Sequence, residues 1–515
     1  MLTLLLICLI VNQSNYLIVF MKILKLQICL FAVLITVSSC DVFNKTDEIP
    51  KTDVVLKDHS INPSLVKMLP GFESLKMNTL ISSDDVLPES PNFVFGGQPD
   101  GAGIIKNPSG DGYVMINNHE FLRSVSRVYL DKTFKPTKGE YVVDYEGGQW
   151  RLCSATMVTP QEHGFGPTFL TAGESGAESM VHAIDPLGAA NKKGKDRVLA
   201  ALGKASMENA VPLHKDAYPG KTVVLIGEDD SDGQLLAYVS NTVGDLQNGK
   251  LYFLKRTDND AIETNMKKGD KYDVEFVEVD NAKNLTGAQI ASLSVQKKAI
   301  QFARVEDVDY GKGSAANNRN VYFTATGVSQ ADKVTPVAGK TMWGRVYHLA
   351  MDANDPLKGK LSVAVDGVVD PGNNIINPDN ICVTQNYVYI QEDGDSFYKE
   401  TKHDGRIWQY SIATGALVPA IEMNHKRDVV DFNNKYNVLK SNLLSSWEYG
   451  AMYDISDLVN IPNTFVINLH PHTWRDMKYS NADGSPITIA KSVSDASTGS
   501  FAEGGQVVII SGLAR

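Results

Sequence analysis

Short apolar or alternating runs recur along most of this chain, and they limit its possible fold more than any other feature. Gly, Asn, Asp or Pro stands close to most of them, which is the pattern of short β-strands joined by turns. The runs cover residues 92–95, 112–116, 141–143, 168–171, 222–226, 249–254, 321–323, 344–349, 386–390, 405–410, 465–468 and 507–510. Convincing helical periodicity occurs only at 196–205 and 285–294. The sequence therefore predicts an all-β fold with loop and short-helix insertions.

Several of these runs share one form, in which a Gly and a variable residue precede an apolar–aromatic pair. Residues 249–254, 344–349 and 405–410 have this form. A repeated strand pattern indicates a repeated sheet unit, and a β-propeller buries many short strands without leaving long edges exposed. We therefore predict a β-propeller over residues 61–515, with six blades. A pair of β-sandwiches is the alternative fold.

Charge restricts the partners of this chain. The 515 residues carry a formal net charge of −11 and include no basic run in the predicted propeller. A protein that binds the phosphate backbone of nucleic acid presents a basic face, so nucleic acid is excluded as a partner. Acidic residues in loops favour cations instead. We expect a monomer that acts on a small molecule.

The first sixty residues have the composition of a targeting segment and a tether. Residues 21–40 carry Lys22 and Lys25, an apolar stretch and then small residues before Cys40, which is the layout of a bacterial lipoprotein signal. Residues 1–20 then form an upstream extension and residues 41–60 a polar tether. We expect an exported lipoprotein of the cell envelope, anchored to the membrane by lipid on Cys40. An ordinary cleaved signal peptide or a single membrane anchor remains an alternative.

Two cysteines remain after removal of the signal and lipidation of Cys40. They are Cys153 and Cys382. An oxidising envelope pairs or buries its thiols, so a disulfide between them is one interpretation. Cys153 ends a strand before a polar loop, which makes a metal-bound thiolate the other interpretation. For Cys382 we expect a buried thiol.

One short stretch combines an arginine and an acid in a way that suits phosphate chemistry. Arg304 and Glu306 are two residues apart, so in an extended segment both side chains leave the backbone on the same side. A guanidinium beside a carboxylate can hold a phosphate against a metal ion. The alternative is a salt bridge at the mouth of a loop.

Acidic and polar clusters follow many of the predicted strands. Carboxylates that end successive strands can converge on the axis of a propeller, where their oxygens suit Ca²⁺, while Cys153 suits a transition metal. No cluster is decisive alone. Residues 229–233 also read as a solvated turn, His119 as a core histidine, and His470 and His472 as structural residues of an extended loop.

The order of these clusters resembles that of the PhoX-type alkaline phosphatases of bacteria, from about Phe93 to the C-terminus. The matching motifs are short, and their shared order is the specific part. They are 118–120 (Asn-His-Glu), Cys153 with the segment up to Glu174, 181–186 (Val-His-Ala-Ile-Asp-Pro), 228–230 (Glu-Asp-Asp), 304–307 (Arg-Val-Glu-Asp), 378–381 (Pro-Asp-Asn-Ile), 392–394 (Glu-Asp-Gly) and 469–471 (Leu-His-Pro).

The resemblance implies a β-propeller phosphomonoesterase with an iron–calcium cofactor on its axis and a small phosphate ester as substrate. By position, four residues match metal ligands of the family and Arg304 matches its phosphate-contacting arginine. The four are Glu120, Cys153, Glu174 and Glu306. Multiple cations can neutralise a phosphate dianion and orient an oxygen nucleophile, so the chemistry needs no side-chain nucleophile.

This chain departs from the family pattern at several positions. Where the family has His-Glu, this chain reads His214-Lys215-Asp216, and the sequence leaves Asp216 as the residue that could replace the calcium-binding Glu. Val305 stands where the family has Pro, and no Trp lies between residues 154 and 168. Two functions stay open: a metallophosphatase, and a non-catalytic, calcium-stabilised propeller that binds a partner and has lost one cation site at Lys215.

Overall fold

The computed structural model describes residues 52–145, 149–190, 197–367, 374–393, 401–444, 446–485, 490–495 and 497–515. The predicted signal, Cys40 and most of the tether lie outside these residues. The strands are β1 (Val66–Met68), β2 (Lys76–Ser82), β3 (Pro99–Lys106), β4 (Tyr113–His119), β5 (Ser124–Leu130), β6 (Pro136–Val143), β7 (Arg151–Val158), β8 (Thr168–Glu174), β9 (His182–Ile184), β10 (Met207–Pro212), β11 (Thr222–Glu228), β12 (Leu235–Ser240), β13 (Lys250–Arg256), β14 (Tyr272–Glu278), β15 (Val305–Tyr310), β16 (Asn320–Ala325), β17 (Arg345–Met351), β18 (Lys358–Asp366), β19 (Pro378–Val383), β20 (Tyr387–Glu392), β21 (Arg406–Ser411), β22 (Leu417–Met423), β23 (Glu448–Asp454), β24 (Thr464–His470) and β25 (Gln506–Ser511).

The helices are short and lie between strands. They are α1 (Pro160–His163), α2 (Gly287–Gln296), α3 (Val430–Tyr436) and α4 (Ser456–Val459). The helix predicted at 285–294 corresponds to α2, which begins with a capping box between Thr286 and Gln289. The helix predicted at 196–205 is wrong over its described part, where Ala200–Leu202 forms one 3₁₀ turn and Val198 bridges to His182. None of the described helices is long and apolar enough to cross a membrane.

The predicted strands are largely confirmed. Every predicted run except the first overlaps a strand. Residues 92–95 do not pair with another strand, and Phe95 instead packs edge-on against His119 with 5.0 Å between the ring centroids. This run was mistaken for a strand because a buried aromatic segment has the same composition whether or not its backbone is paired.

The strands form a propeller-like arrangement of five antiparallel sheets in the described residues. The strand orders are β1-β22-β21-β20-β19, β2-β25-β24-β23, β3-β4-β5-β6, β7-β8-β9 and β10-β11-β12-β13-β14-β18-β17-β16-β15. The prediction of six separate blades is wrong, because β14 pairs with β18 and joins two successive meanders into one nine-stranded sheet.

Six strands lie against one another around the middle of the molecule, and we call them the axial strands: β3, β7, β10, β15, β19 and β23. Each contacts the next in this order, and β23 contacts β3, which closes a ring. The N-terminal strand β2 pairs with β25, so the two ends of the chain share a sheet. A closed ring of this kind excludes the alternative of two β-sandwiches.

The apolar core lies between neighbouring sheets. Ile116 and Val125 of the sheet that contains β3 pack with Leu152 and Phe169 of the next sheet, and all four side chains are fully or almost fully buried. Packing of this kind leaves the polar side chains at the starts of the axial strands facing one another.

Gly101 allows the axial strands β3 and β7 to approach closely. A Cβ atom at this position would lie 2.4 Å from the backbone nitrogen of Ala155 and 2.6 Å from the carbonyl oxygen of Cys153. Backbone atoms cannot move aside as a flexible side chain can, so Gly101→Ala is expected to lower the free energy of unfolding by about 1–3 kcal/mol. Denaturant unfolding measures this loss. Gly110→Ala, which meets nothing closer than 3.8 Å, is the control, and equal stability of the two variants would contradict the packing.

Candidate metal centre

Each axial strand has an irregularity in its pairing near its first residues. The register shifts fall between Pro99 and Ala102, Leu152 and Ala155, Met207 and Ala210, Val305 and Val308, Pro378 and Ile381, and Tyr449 and Met452. Irregularities of this type bend a strand and redirect a side chain. The first residues inside the six shifts are Asp100, Cys153, Glu208, Glu306, Asp379 and Gly450. Five of the six are side chains that can bind metal ions.

These five side chains converge. Asp100, Cys153 and Glu208 each bring one donor atom to within 4.8 Å of the others, and Glu208, Glu306 and Asp379 do the same. None of the five residues is more than 8% exposed. Four carboxyl groups and one thiol therefore share one buried region, which we call the axial centre.

A third group extends the axial centre towards solvent. Glu120, which follows β4, and Glu174, which ends β8, each place an oxygen within 4.8 Å of the Cys153 sulfur and of each other. Arg151 lies at their outer side, with Nη1 3.0 Å from Glu120 and Nε 3.4 Å from Glu174. The predicted residues Glu120, Cys153, Glu174 and Glu306 thus lie in overlapping groups.

Hydrogen bonds from the second residues of the irregular segments hold the axial strands in register. Asn380 Nδ2 donates to Ser154 Oγ at 2.7 Å, and Asn209 donates to the Asp307 carboxylate. The backbone N–H of Ile381 donates to the other oxygen of Asp307 at 3.0 Å. Polar partners therefore fix the backbone below the carboxylates on β10, β15 and β19.

Burial and mutual repulsion make the charged forms of these groups unfavourable. Burial, together with the negative charges of neighbouring carboxylates, raises the pKa of Glu208, Glu306 and Asp379 well above the usual range. The same causes raise the pKa of Glu174 to about 8 and hold the pKa of the Cys153 thiol well above its usual range. A cation among these groups would stabilise the charged carboxylates and the thiolate, and would therefore lower these pKa values.

The donor set fits metal ions of two kinds. Several carboxylate oxygens suit Ca²⁺, and the single sulfur of Cys153 suits iron or another transition metal. One carboxylate oxygen of Asp100 is buried without a hydrogen-bond partner in the described residues, which leaves it free to bind a cation. The residues present therefore form groups that could hold metal ions.

Arg304 faces the axial centre from the start of β15. Its Nε donates to Asp229 at 2.7 Å, its Nη2 lies 2.7 Å from Glu306 and its Nη1 lies 3.7 Å from Asp393. Burial lowers the pKa of the Arg304 guanidinium. The negative charges of Asp229 and Glu306 have the larger effect, so the pKa of Arg304 is raised. The side chain stays 26% exposed, so a ligand can reach it.

The backbone at Arg304 differs from the extended geometry expected from the sequence. Its φ is +64°, a conformation that L-residues rarely adopt. The Arg304 N–H donates to Asp230 at 2.9 Å, and its carbonyl accepts from Thr326 at 2.9 Å. These contacts keep the guanidinium beside Glu306 although the two residues are not in one regular strand.

Asp216, the predicted substitute ligand, is not part of the axial centre in the described residues. It follows the far end of β10, whereas Glu208 lies at the near end. Its side chain is 59% exposed and lies 3.5 Å from His214. Lys215 points away as well, since its Nζ donates to the Gln161 carbonyl at 2.5 Å. The prediction of Asp216 as a ligand of this centre is therefore wrong, because its exposed side chain lies beyond the far end of β10.

Sequence reasoning did not select Asp100, Glu208 and Asp379 as ligands. Asp379 was included in the motif 378–381 without being assigned a ligand role, whereas Asp100 and Glu208 are single acids in mostly apolar strands and were not singled out. A usable signal was present: an acid followed by Asn or Asp near the start of a strand recurs at Glu208-Asn209, at Glu306-Asp307 and at Asp379-Asn380.

Three other expectations can be compared with the structure. His119 is a core histidine, which is one of the two interpretations given above. Its ring nitrogens lie 3.1 Å from the Gly97 carbonyl and 2.7 Å from Ser126 Oγ. Cys153 and Cys382 are both buried free thiols, so the disulfide between them is wrong. Asp229 in the acidic turn contacts Arg304, so that turn does more than face solvent.

The comparisons with known proteins show a likeness in fold and no close match in sequence. No protein-family description and no curated protein matches it. Among solved structures, the PhoX of Pseudomonas fluorescens in complex with vanadate, a transition-state analogue, aligns with a TM-score of 0.57 at 14% identity over 88% of this chain and 98% of its own. An α-L-arabinofuranosidase of Fusarium graminearum aligns at a TM-score of only 0.40, with 12% identity over 80% of this chain and 93% of its own. The chain therefore has a PhoX-like fold.

Proposed function

We propose that this chain is a metal-dependent phosphomonoesterase that releases phosphate from organic esters at the cell envelope, to which a lipid on Cys40 anchors it. The observation that carries the proposal is the position of Arg304, an accessible guanidinium held at 2.7 Å from Glu306 at the edge of a buried group of carboxylates and one thiol. The match in fold to a phosphatase solved with a transition-state analogue supports the same reaction class.

Each residue has a definite task in this proposal. Asp100, Cys153, Glu208, Glu306 and Asp379 would hold the inner ions, with Glu120 and Glu174 on the solvent side. Bound calcium and iron would neutralise the phosphate dianion and activate water as the nucleophile. Arg304 binds the equatorial oxygens of the phosphoryl group, where charge develops as the ester bond breaks.

The position of Arg304 also explains how it would become available to substrate. Asp229 holds Nε and one oxygen of Glu306 faces Nη2. Nη2 also donates to the second oxygen of Asp229 at 3.3 Å, so Asp229 keeps the plane of the guanidinium fixed, and a phosphate would approach the exposed part of this side chain. Arg151 presents a second guanidinium on the solvent side, 37% exposed and 5.2 Å from the centre of the Phe121 ring. Two guanidinium groups would therefore flank the substrate.

The non-catalytic alternative loses its main support. It depended on Lys215 replacing a calcium-binding acid, but Lys215 lies outside the axial centre and Glu208 supplies the carboxylate of β10.

Arg304→Lys tests the role assigned to Arg304. Lysine keeps the positive charge but cannot make a bidentate contact with two phosphate oxygens. We expect kcat/KM for p-nitrophenyl phosphate to fall about 10²-fold, with metal content unchanged. Arg256→Lys is the control, because Arg256 pairs with Asp258 and Asp260 away from the axial centre. An Arg304→Lys enzyme as active as this control would contradict the proposed contact.

A further inference from the structure

We propose that Glu448, His470 and His472 form a further site, next to the axial centre at the start of β23, for one divalent transition-metal ion such as Zn²⁺. Each contributes a donor atom, and these atoms lie within 4.8 Å of one another. Glu448 begins β23 and pairs across the sheet with His470, the last residue of β24. His472 follows after one proline. None of the three belongs to the three groups of the axial centre.

The distances place the three donors around one point. His472 Nε2 lies 3.0 Å and His470 Nδ1 3.8 Å from the same carboxylate oxygen of Glu448, Oε2. The side chains of His472 and Glu448 are 16% and 14% exposed, whereas that of His470 is fully buried. An ion can therefore enter from the side of His472 and reach His470 behind it.

His470 is the residue that an ordinary salt-bridge network leaves unexplained. Both of its ring nitrogens are buried without a hydrogen-bond partner in the part of the chain that the structure describes. Buried polar groups are nearly always satisfied. His119 ends β4 as His470 ends β24, and it is just as buried, but both of its ring nitrogens have partners. A metal ion bound to Nδ1 would satisfy one of these two nitrogens.

The surroundings of His472 resemble the outer layer of a metal site. Its Nδ1 lies 2.8 Å from Glu503 Oε2, which leaves Nε2 directed towards Glu448. Arg475 Nη2 at 2.6 Å and Gln98 Nε2 at 2.9 Å hold the Glu503 carboxylate in place. A carboxylate behind a histidine orients the ring of metal-bound imidazoles in this way.

The donor set selects the class of ion. Two imidazoles and one carboxylate favour a divalent transition metal over Ca²⁺, which prefers oxygen ligands alone. Three protein ligands leave at least one position for water or another small ligand. The proposal does not depend on phosphatase activity, since neither histidine is assigned to phosphate-ester hydrolysis.

Zn²⁺ binding to tag-free protein, measured by equilibrium dialysis with metal analysis, tests this site. Saturating Ca²⁺ is added to compete with Zn²⁺ for the oxygen ligands of the axial centre, and a Cys153→Ser background removes its thiolate. We expect His472→Gln to lose one equivalent of Zn²⁺ and Glu503→Gln to weaken binding of that equivalent about 10–100-fold. His348→Gln is the control, because His348 bonds to Asn320 in another sheet.

Two further observations keep the test decisive. X-ray absorption at the zinc edge of the Cys153→Ser protein should show two imidazole ligands, a result that needs no histidine variant to fold. Zn²⁺ should raise the melting temperature of the Cys153→Ser parent and raise that of His472→Gln less, although loss of the contacts to Glu448 and Glu503 lowers the melting temperature of the variant with chelator as well. Unchanged Zn²⁺ stoichiometry and affinity in His472→Gln, or a zinc spectrum without imidazole, would overturn the proposal whatever the hydrolytic activity.

Discussion

Glu306→Gln is expected to reduce kcat/KM for p-nitrophenyl phosphate by about 10³-fold or more. Glu306 lies 2.7 Å from Arg304 and within 4.8 Å of donor atoms of Glu208 and Asp379. A neutral amide of the same shape removes one anionic ligand and leaves Arg304 without its partner in the axial centre. Initial rates together with metal analysis of the same samples measure both consequences.

The same variant should also respond differently from an ordinary core mutant. Because Glu306 repels the other buried carboxylates, the metal-free form of Glu306→Gln should be at least as stable as the metal-free parent. Glu162→Gln is the matched control. Glu162 lies in α1, and its carboxylate accepts a hydrogen bond from Tyr310, which ends β15 opposite to Glu306. It should lose stability but keep its metal content and its activity. Equal activity of the Glu306→Gln and Glu162→Gln enzymes would contradict the assignment.

The stability of the metal-free protein is expected to fall as the pH rises from 5.5 to 8.5. Burial raises the pKa of Glu174 to about 8 and that of Asp307 to about 7, and it raises the pKa of Glu208 further above the usual range. In this interval the folded chain therefore holds more protons than the unfolded chain, and linkage then makes the free energy of unfolding decrease with pH. The full stabilisation is present below the unfolded pKa values, near 4.

We expect this loss to amount to about 2 kcal/mol or more. Urea unfolding at both pH values, with chelator and with Ca²⁺ plus iron, measures it. Bound cations should abolish most of the difference, because they replace the protons. The double variant Glu208→Gln, Glu306→Gln should also show a smaller difference without metal. Chelated protein that is equally stable at both pH values would contradict a buried, uncompensated group of carboxylates.

The fold was predictable from the sequence because its strands are short, apolar and bounded by turn residues. The pairing of strands at the outer edges of the sheets could not be predicted from the sequence. The contact of β14 with β18 joins two meanders and changes the number of sheets. Such a contact depends on how far two surface strands extend, which the apolar pattern does not record.

The axial centre was predictable in part. Glu120, Cys153, Glu174 and Glu306 were selected from motif order and lie together. Asp100 and Glu208 were not selected because an irregularity in strand pairing redirects them, and alternation of apolar and polar residues assumes regular pairing. Asp216 was selected from a two-residue match that the structure places at the wrong end of β10.

Reconstitution of activity in one protein sample tests the central claim most directly. Protein stripped with chelator should release no phosphate from p-nitrophenyl phosphate, and addition of Ca²⁺ and iron should restore turnover in step with metal binding measured on the same sample. The account predicts that both ions are required and that Arg304→Lys binds them with little turnover. Folded, metal-loaded protein that releases no phosphate above the Arg304→Lys level would contradict the claim that this propeller is a phosphatase.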